Sequence, residues 1–175
     1  MASRLRRSDI RLTPTRSVVT TWTDRSPVVA AYLNPAFTAA VISEAAAGHQ
    51  RDHVPMIWPL SYLVLPFVLH RPTREALPGN TRTHLSTWVR REPVLRAGFP
   101  YRAASLAQMT SEGLRFGVRH SMFRLHDGNI LSGNITNNDV DPTLTQLLAA
   151  ARLVGRWIAK SKEPSTVFAL LGVGV

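Results

Sequence analysis

Apolar positions along this chain recur chiefly at intervals of three and four residues, the spacing of helices that bury one face. After Asn34-Pro35, with Asn as a cap and Pro at the first helical position, Phe37, Ala40, Val41 and Ala45 mark an apolar face that runs to Gly48. A polar turn from His49 to Val54 separates this helix from WPLSYLVLPFVLH, which is apolar on every side. Such a segment is the expected hydrophobic centre, bent or broken by Pro66. A short turn at Arg71-Pro72-Thr73 and a brief helical stretch follow, stopped by Leu77-Pro78-Gly79. Thr81 or Thr83 can cap the next helix, in which Leu85, Trp88 and Val89 share one face, Arg82, Arg90 and Arg91 mostly point elsewhere, and Pro93 ends the run.

The stretch from Pro100 to Gly133 is the most informative. Pro100 opens a helix with Ala103, Ala104 and Ala107 as small core-facing positions; Thr110 is expected to end it and to cap a second helix carrying Leu114, Phe116 and Val118. Then Met122, Arg124 and His126 alternate with Phe123 and Leu125, Asp127-Gly128 signals a tight hairpin turn, and Ile130 and Leu131 begin a return strand. Asn137-Asn138-Asp139 reads as a polar loop. Asp141-Pro142 repeats the cap-then-proline start for a helix over 142–161, with Leu144, Leu147, Leu148, Ala151, Val154 and Ile158 on one face. The final STVFALLGVGV is apolar to its end and must be buried, against the domain or against a partner. No repeat of solenoid length is present.

These elements predict a mainly α (α+β) fold: a helical core with a winged-helix-like helix-turn-helix and a β-hairpin wing. Residues 1–25, with six Arg and no sustained period, are expected to form a flexible basic arm or to reflect a start placed too far upstream, and residues 26–175 a single domain.

Composition narrows the class. The 175 residues are 45% hydrophobic, enough for one ordinary core, and the absence of Cys excludes disulfides, thiolate zinc sites and a cysteine nucleophile. The longest apolar stretch, Met56 to Leu69, is interrupted by Pro59 and Pro66, so no membrane span is expected. The first residues lack the apolar region of a secretory signal; their Arg-rich, acid-poor character also matches a transit peptide, but a cytoplasmic location is the expectation.

Charge adds a surface. The chain holds 21 basic and 11 acidic residues, and only Lys160 and Lys162 among the basic ones are Lys. A GC-rich genome favours Arg over Lys, but it does not explain position: residues 71–124 contain ten Arg against Glu75, Glu92 and Glu112. If the helix pair is a helix-turn-helix, Glu112, Arg115 and Arg119 lie on one stripe of its second helix, with Arg102 nearby and Arg124 on the wing. These four arginines are the candidate nucleic-acid contacts; the plainer alternative is that such side chains solvate helix faces or meet an acidic partner.

Candidate chemistry is thin. His49 and His53 have helical i,i+4 spacing, but the segment between them lacks the metalloprotease glutamate, and Gly48 and Pro55 bracket the pair, so they read as loop histidines. Asp139 and Asp141 with Asn137 and Asn138 lack the glycine and final glutamate of a calcium loop. There is no phosphate-binding Gly-rich loop with Lys-Ser or Lys-Thr, and Ser105 and Ser111 lack a hydrolase elbow. No catalytic residue, metal, cofactor or small-molecule substrate is therefore expected, and the chain reads as a binding protein and not as an enzyme.

Several blocks taken together, YLNPAF, LVLPFVLHRPTREALP, HLSTWVRREP, FPYRAASLAQMTSEGLRFG and the terminal FALLGV, resemble the middle components of bacterial three-component ABC ATPase systems, over about residues 20 to 173. The resemblance implies a small adaptor working with an SMC- or Rad50-like ABC ATPase and a third component in a prokaryotic conflict system such as anti-phage defence, with DNA handled by the assembly. It implies no catalytic residue, and it places recurring fold or partner features at Asn34, His70 and Arg74 and in the terminal block at Phe168 and Leu171. The basic first 20 residues and the Gly-Val-Gly-Val end depart from the pattern. A stand-alone winged-helix transcription regulator is the alternative reading.

Overall fold

The computed structural model describes residues 34–133, 141–161 and 163–174. By its internal contacts the chain divides into Met1–Tyr32 and Leu33–Val175, and the described residues belong to the second unit. The expected basic arm, the boundary after residue 25 and the loop at Asn137–Asp139 lie outside the described residues.

Eight α-helices and three short strands are described: α1 (Pro35–His49), β1 (Met56–Ile57), α2 (Ser61–Leu69), α3 (Arg71–Glu75), α4 (Leu85–Arg91), α5 (Pro93–Ala97), α6 (Phe99–Arg119), β2 (Phe123–His126), β3 (Asn129–Ser132), α7 (Pro142–Ile158) and α8 (Pro164–Leu171). The domain is mainly helical with one three-stranded antiparallel sheet, ordered β1-β3-β2.

Helix α1 starts where the sequence places it: Asn34 Oδ1 accepts the Ala36 N–H at 2.8 Å, and Pro35 occupies the first turn. Its burial differs from the expected single apolar face. Thr38, Ile42, Ser43, Ala46 and Gly48 are buried as fully as Val41 and Ala45, because α2, α6, α7 and β3 surround the helix. Glycine makes its closest crossing possible. A Cβ on Gly155 of α7 would stand 1.9 Å from the Ala45 carbonyl oxygen, and one on Gly48 would stand 2.1 Å from that of Arg152. The α1 and α7 backbones thus touch at two reciprocal points that admit no side chain.

An aromatic centre closes the other side of the core. Phe67 of α2 meets the rings of Trp88, Phe99 and Trp157 at centroid distances of 5.6, 4.6 and 5.7 Å, and the two indoles meet each other edge to face. Such pairs add about 0.5–1.5 kcal/mol each beyond area burial. Both indole N–H groups are satisfied, Trp88 by the Ala76 carbonyl at 2.8 Å and Trp157 by that of Thr83 at 2.6 Å. The hydrophobic segment predicted as the centre is therefore central. Pro66 does not break it, since α2 continues to Leu69.

The helix-turn-helix expectation is corrected. Residues Phe99 to Arg119 form one continuous helix, and Thr110 is buried within it. The Thr110 hydroxyl donates to the Leu106 carbonyl one turn back at 3.0 Å, so a residue read as a cap is bonded inside the helix. The nearby glycines are packing positions: Gly113 faces Thr38 of α1, and Gly117 faces the Phe123 ring.

The hairpin forms as predicted. Asp127 and Gly128, at φ 48° and 75°, make a two-residue turn with both positions left-handed, which suits the twist of the flanking strands. Phe123 and Ile130 enter the core, while Arg124 and His126 are exposed. Leu125, expected to face with Phe123, is 47% exposed because it lies at the hairpin tip, beyond the helices. The strand β1, which the sequence did not indicate, pairs Met56 with Ile130. Beyond β1, the Gln50 side chain continues the pairing, accepting from the Ser132 N–H at 3.2 Å and donating to the Ile130 carbonyl at 3.5 Å.

Helix α7 begins at Asp141, whose carboxylate accepts the Thr143 N–H at 2.8 Å; these backbone bonds hold its pKa below the usual carboxylate value. Of the terminal apolar stretch only Val167, Phe168 and Leu171 are buried among the described residues, packed against their own domain, whereas Ala169, Gly172 and Gly174 are exposed. No helix among the described residues is long and apolar enough to cross a membrane.

Candidate interaction surfaces

The predicted functional residues fall into two groups, those that hold helix ends and those that face solvent. Asn34 caps α1. His70 caps α3: its Nδ1 accepts from the Thr73 N–H at 3.3 Å and lies 2.7 Å from the Thr73 hydroxyl. The bond from the Thr73 N–H needs an unprotonated Nδ1. Desolvation, and secondly the charge of Arg102, hold the His70 pKa below its ordinary value, which keeps that nitrogen free to accept. Arg74 donates through Nη1 to the Val68 carbonyl at 2.6 Å, satisfying one of the open carbonyls at the end of α2. Three residues expected to meet a partner thus have structural work within the fold.

Arg102 is corrected in the same way. Its Nη2 donates to the Leu95 carbonyl of α5 at 2.5 Å, its guanidinium lies 5.6 Å from the Phe99 ring centroid, and desolvation lowers its pKa. It is half-buried and braces α5 against the start of α6. Arg96, which the sequence reading had not singled out, does the same for α8 through Leu170 at 3.1 Å. By contrast Arg115, Arg119 and Arg124 are exposed, without a hydrogen bond or ion pair among the described residues. The spacing of Arg115 and Arg119 puts them on one stripe of α6, which ends beside the strand carrying Arg124. The stacked Phe116 and His120 rings, 4.1 Å apart, flank that stripe.

Two concavities accompany these surfaces. An apolar groove of about 430 Å³ runs between α6 and the end of α8, lined by Trp58, Pro59, Tyr62, Ala103, Ala104, Ala107, Phe168 and Val173. Here Ala104 is exposed and Ala107 half-buried, so the small residues predicted as core-facing instead leave a channel; only Ala103 is buried. Phe168, 6% exposed, contributes to the groove wall, whereas Leu171 is fully buried. Trp58 and Tyr101 present large exposed apolar surface, at 44% and 79%. The Tyr62 hydroxyl bonds Ser111 at 2.7 Å and fixes α2 to α6 there.

The second concavity is polar, about 490 Å³, between α1, α7 and β3. Glu44 is buried on α1 and accepts from Arg152 Nε at 2.6 Å, which raises the Arg152 pKa. Arg51 and Arg156 complete the wall. Sequence reasoning missed it because its arginines are about a hundred positions apart; the available signal was the Arg152–Arg156 spacing of one turn, matched by Glu44 and Gly48 on α1. His49, read as a loop histidine, is buried, with Nδ1 2.8 Å from the Val54 carbonyl. Among the described residues no three His, Asp or Glu side chains gather as metal ligands.

Together these features define the class as a small, mainly helical domain with one three-stranded antiparallel sheet. Over residues 22–175 the chain matches the family described as ABC-three component (ABC-3C) system Middle Component 3, and it belongs to that family. No curated protein and no solved structure matches it.

Proposed function

We propose that this chain is a non-catalytic, cytoplasmic adaptor that links an SMC- or Rad50-like ABC ATPase to the third component of a prokaryotic conflict system. The observation that carries this reading is the family match, which spans all the described residues and names a middle component of an ABC system. The exposed apolar groove beside α8 supports docking, since contiguous exposed apolar surface with flanking aromatic side chains is characteristic of protein contact sites. On this reading the ATPase covers that groove. Co-expression with the ATPase encoded beside it tests the assignment: the two should co-purify, and Ala104→Arg, at an exposed position, should abolish the complex without unfolding the adaptor. Co-purification indifferent to that substitution would remove the groove; failure to associate at all would remove the adaptor.

Direct DNA contact through Arg115, Arg119 and Arg124 belongs to the same proposal, supported by their exposure and the absence of acidic partners among the described residues. A stand-alone winged-helix regulator has less support, because the continuous α6 lacks the turn that presents a recognition helix.

A further inference from the structure

The polar cavity has a composition that packing alone does not require. Arg152 and Arg156 stand one turn apart on α7, Arg51 faces them from the turn after α1, and Glu44 is the sole acidic group among the described residues that line it. That carboxylate is already bonded to Arg152 at 2.6 Å, so the described residues of the wall keep two positive charges in excess. The neutral groups are occupied as well. The Gln50 amide bonds both Ser132 and Ile130, and the Ser132 hydroxyl donates to Ser43 at 3.1 Å. What remains open is guanidinium. The Arg51 and Arg156 side chains line the cavity and make no hydrogen bond or ion pair among the described residues.

From this geometry we infer that the cavity is a binding site for a small phosphate-bearing ligand, held by Arg51, Arg152 and Arg156. A phosphate presents several acceptor oxygens to several guanidinium groups at once, and neither an apolar group nor a neutral amide answers that donor set. A volume of about 490 Å³ is within the range of small-molecule pockets and exceeds what a single inorganic anion fills. The site is concave and separate from the exposed arginines of α6 and β2, which distinguishes it from a surface that tracks a polymer backbone. Glu44 acts as a positioning residue: by fixing Arg152 it sets where one of the three cations stands.

Titration calorimetry and thermal shift on the full chain, at low ionic strength without metal, test this with inorganic pyrophosphate and ADP as probes. One-site saturable binding with a raised Tm is expected, weakened about tenfold or more by Arg156→Gln or Arg51→Gln and unchanged by Arg115→Gln. Tighter binding of ADP identifies a nucleoside phosphate as the source, and equal affinity identifies the phosphate group alone. If Arg156→Gln unfolds, Arg51→Gln, at an exposed position, carries the test. No saturable binding, or equal weakening by Arg115→Gln, would overturn the site, as would dependence on Arg51 and Arg156 seen only with a DNA oligonucleotide. None of these outcomes bears on association with the ATPase, which is measured separately.

Discussion

The region from α2 to the first turn of α6 and the region of the hairpin and the last turns of α6 are both rich in arginine and use it in opposite ways. At the first, Arg74, Arg96 and Arg102 each reach a backbone carbonyl near the end of a different helix. At the second, Arg115, Arg119 and Arg124 stand in solvent. A helix terminus leaves carbonyls without partners, and short helices such as α3 and α5 have few interior bonds to offset that loss, so a cation there stabilises the fold. A long helix and a tight hairpin need no such help, and their charge is free to act on other molecules. Net charge alone therefore says little about binding; what each guanidinium already touches says more.

Substitutions should separate the two regions by size of effect. Arg102→Ala should cost the most, about 2–3 kcal/mol in urea denaturation, because it removes the bond to Leu95, the packing on Phe99 and the side-chain stem together. Arg74→Ala should cost about 1–2 kcal/mol by the same measurement, for a single charge-assisted bond. A stability difference as small as that at the hairpin would erase the distinction drawn here.

A pH effect follows at the first region. The folded His70 pKa is depressed below about 6.5, so its cap is fully present above that value and is lost as pH falls through the folded pKa. Thermal melts should show stability declining on acidification below about pH 6.5, and His70→Asn, a cap that does not titrate, should flatten that part of the profile. An unchanged slope would assign the decline to other groups. The smallest stability effect should come from the triple change Arg115→Gln, Arg119→Gln and Arg124→Gln, within about 0.5 kcal/mol of the parent. That variant should nonetheless bind duplex DNA more weakly, with a shallower salt dependence in a fluorescence titration. Equal DNA affinity before and after would leave these arginines as solvation only.

The same contrast explains what was legible in the sequence. Local signals were read well: Asn34-Pro35 and Asp141-Pro142 do open helices, Asp127-Gly128 does turn a hairpin, and the blocks around His70 and Arg74 that carry the family resemblance hold helix ends together. Thr110 misled because the same hydroxyl that caps a helix can bond within one. The strand β1 is two residues long, too short for alternation to show. Neither the groove nor the cavity has a local signature, since Phe168 meets Ala104, and Arg51 meets Arg156, only through the fold.

The reciprocal glycine contacts have an effect well beyond their own positions. Where two rods rest backbone on backbone, their separation is a fixed gauge, and side-chain exchange elsewhere along them leaves it unaltered. Glu44 and Arg152 are mounted on those two rods, so the calibre of the mouth between them is set at the glycines; a single methyl at Gly155 would wedge it wider.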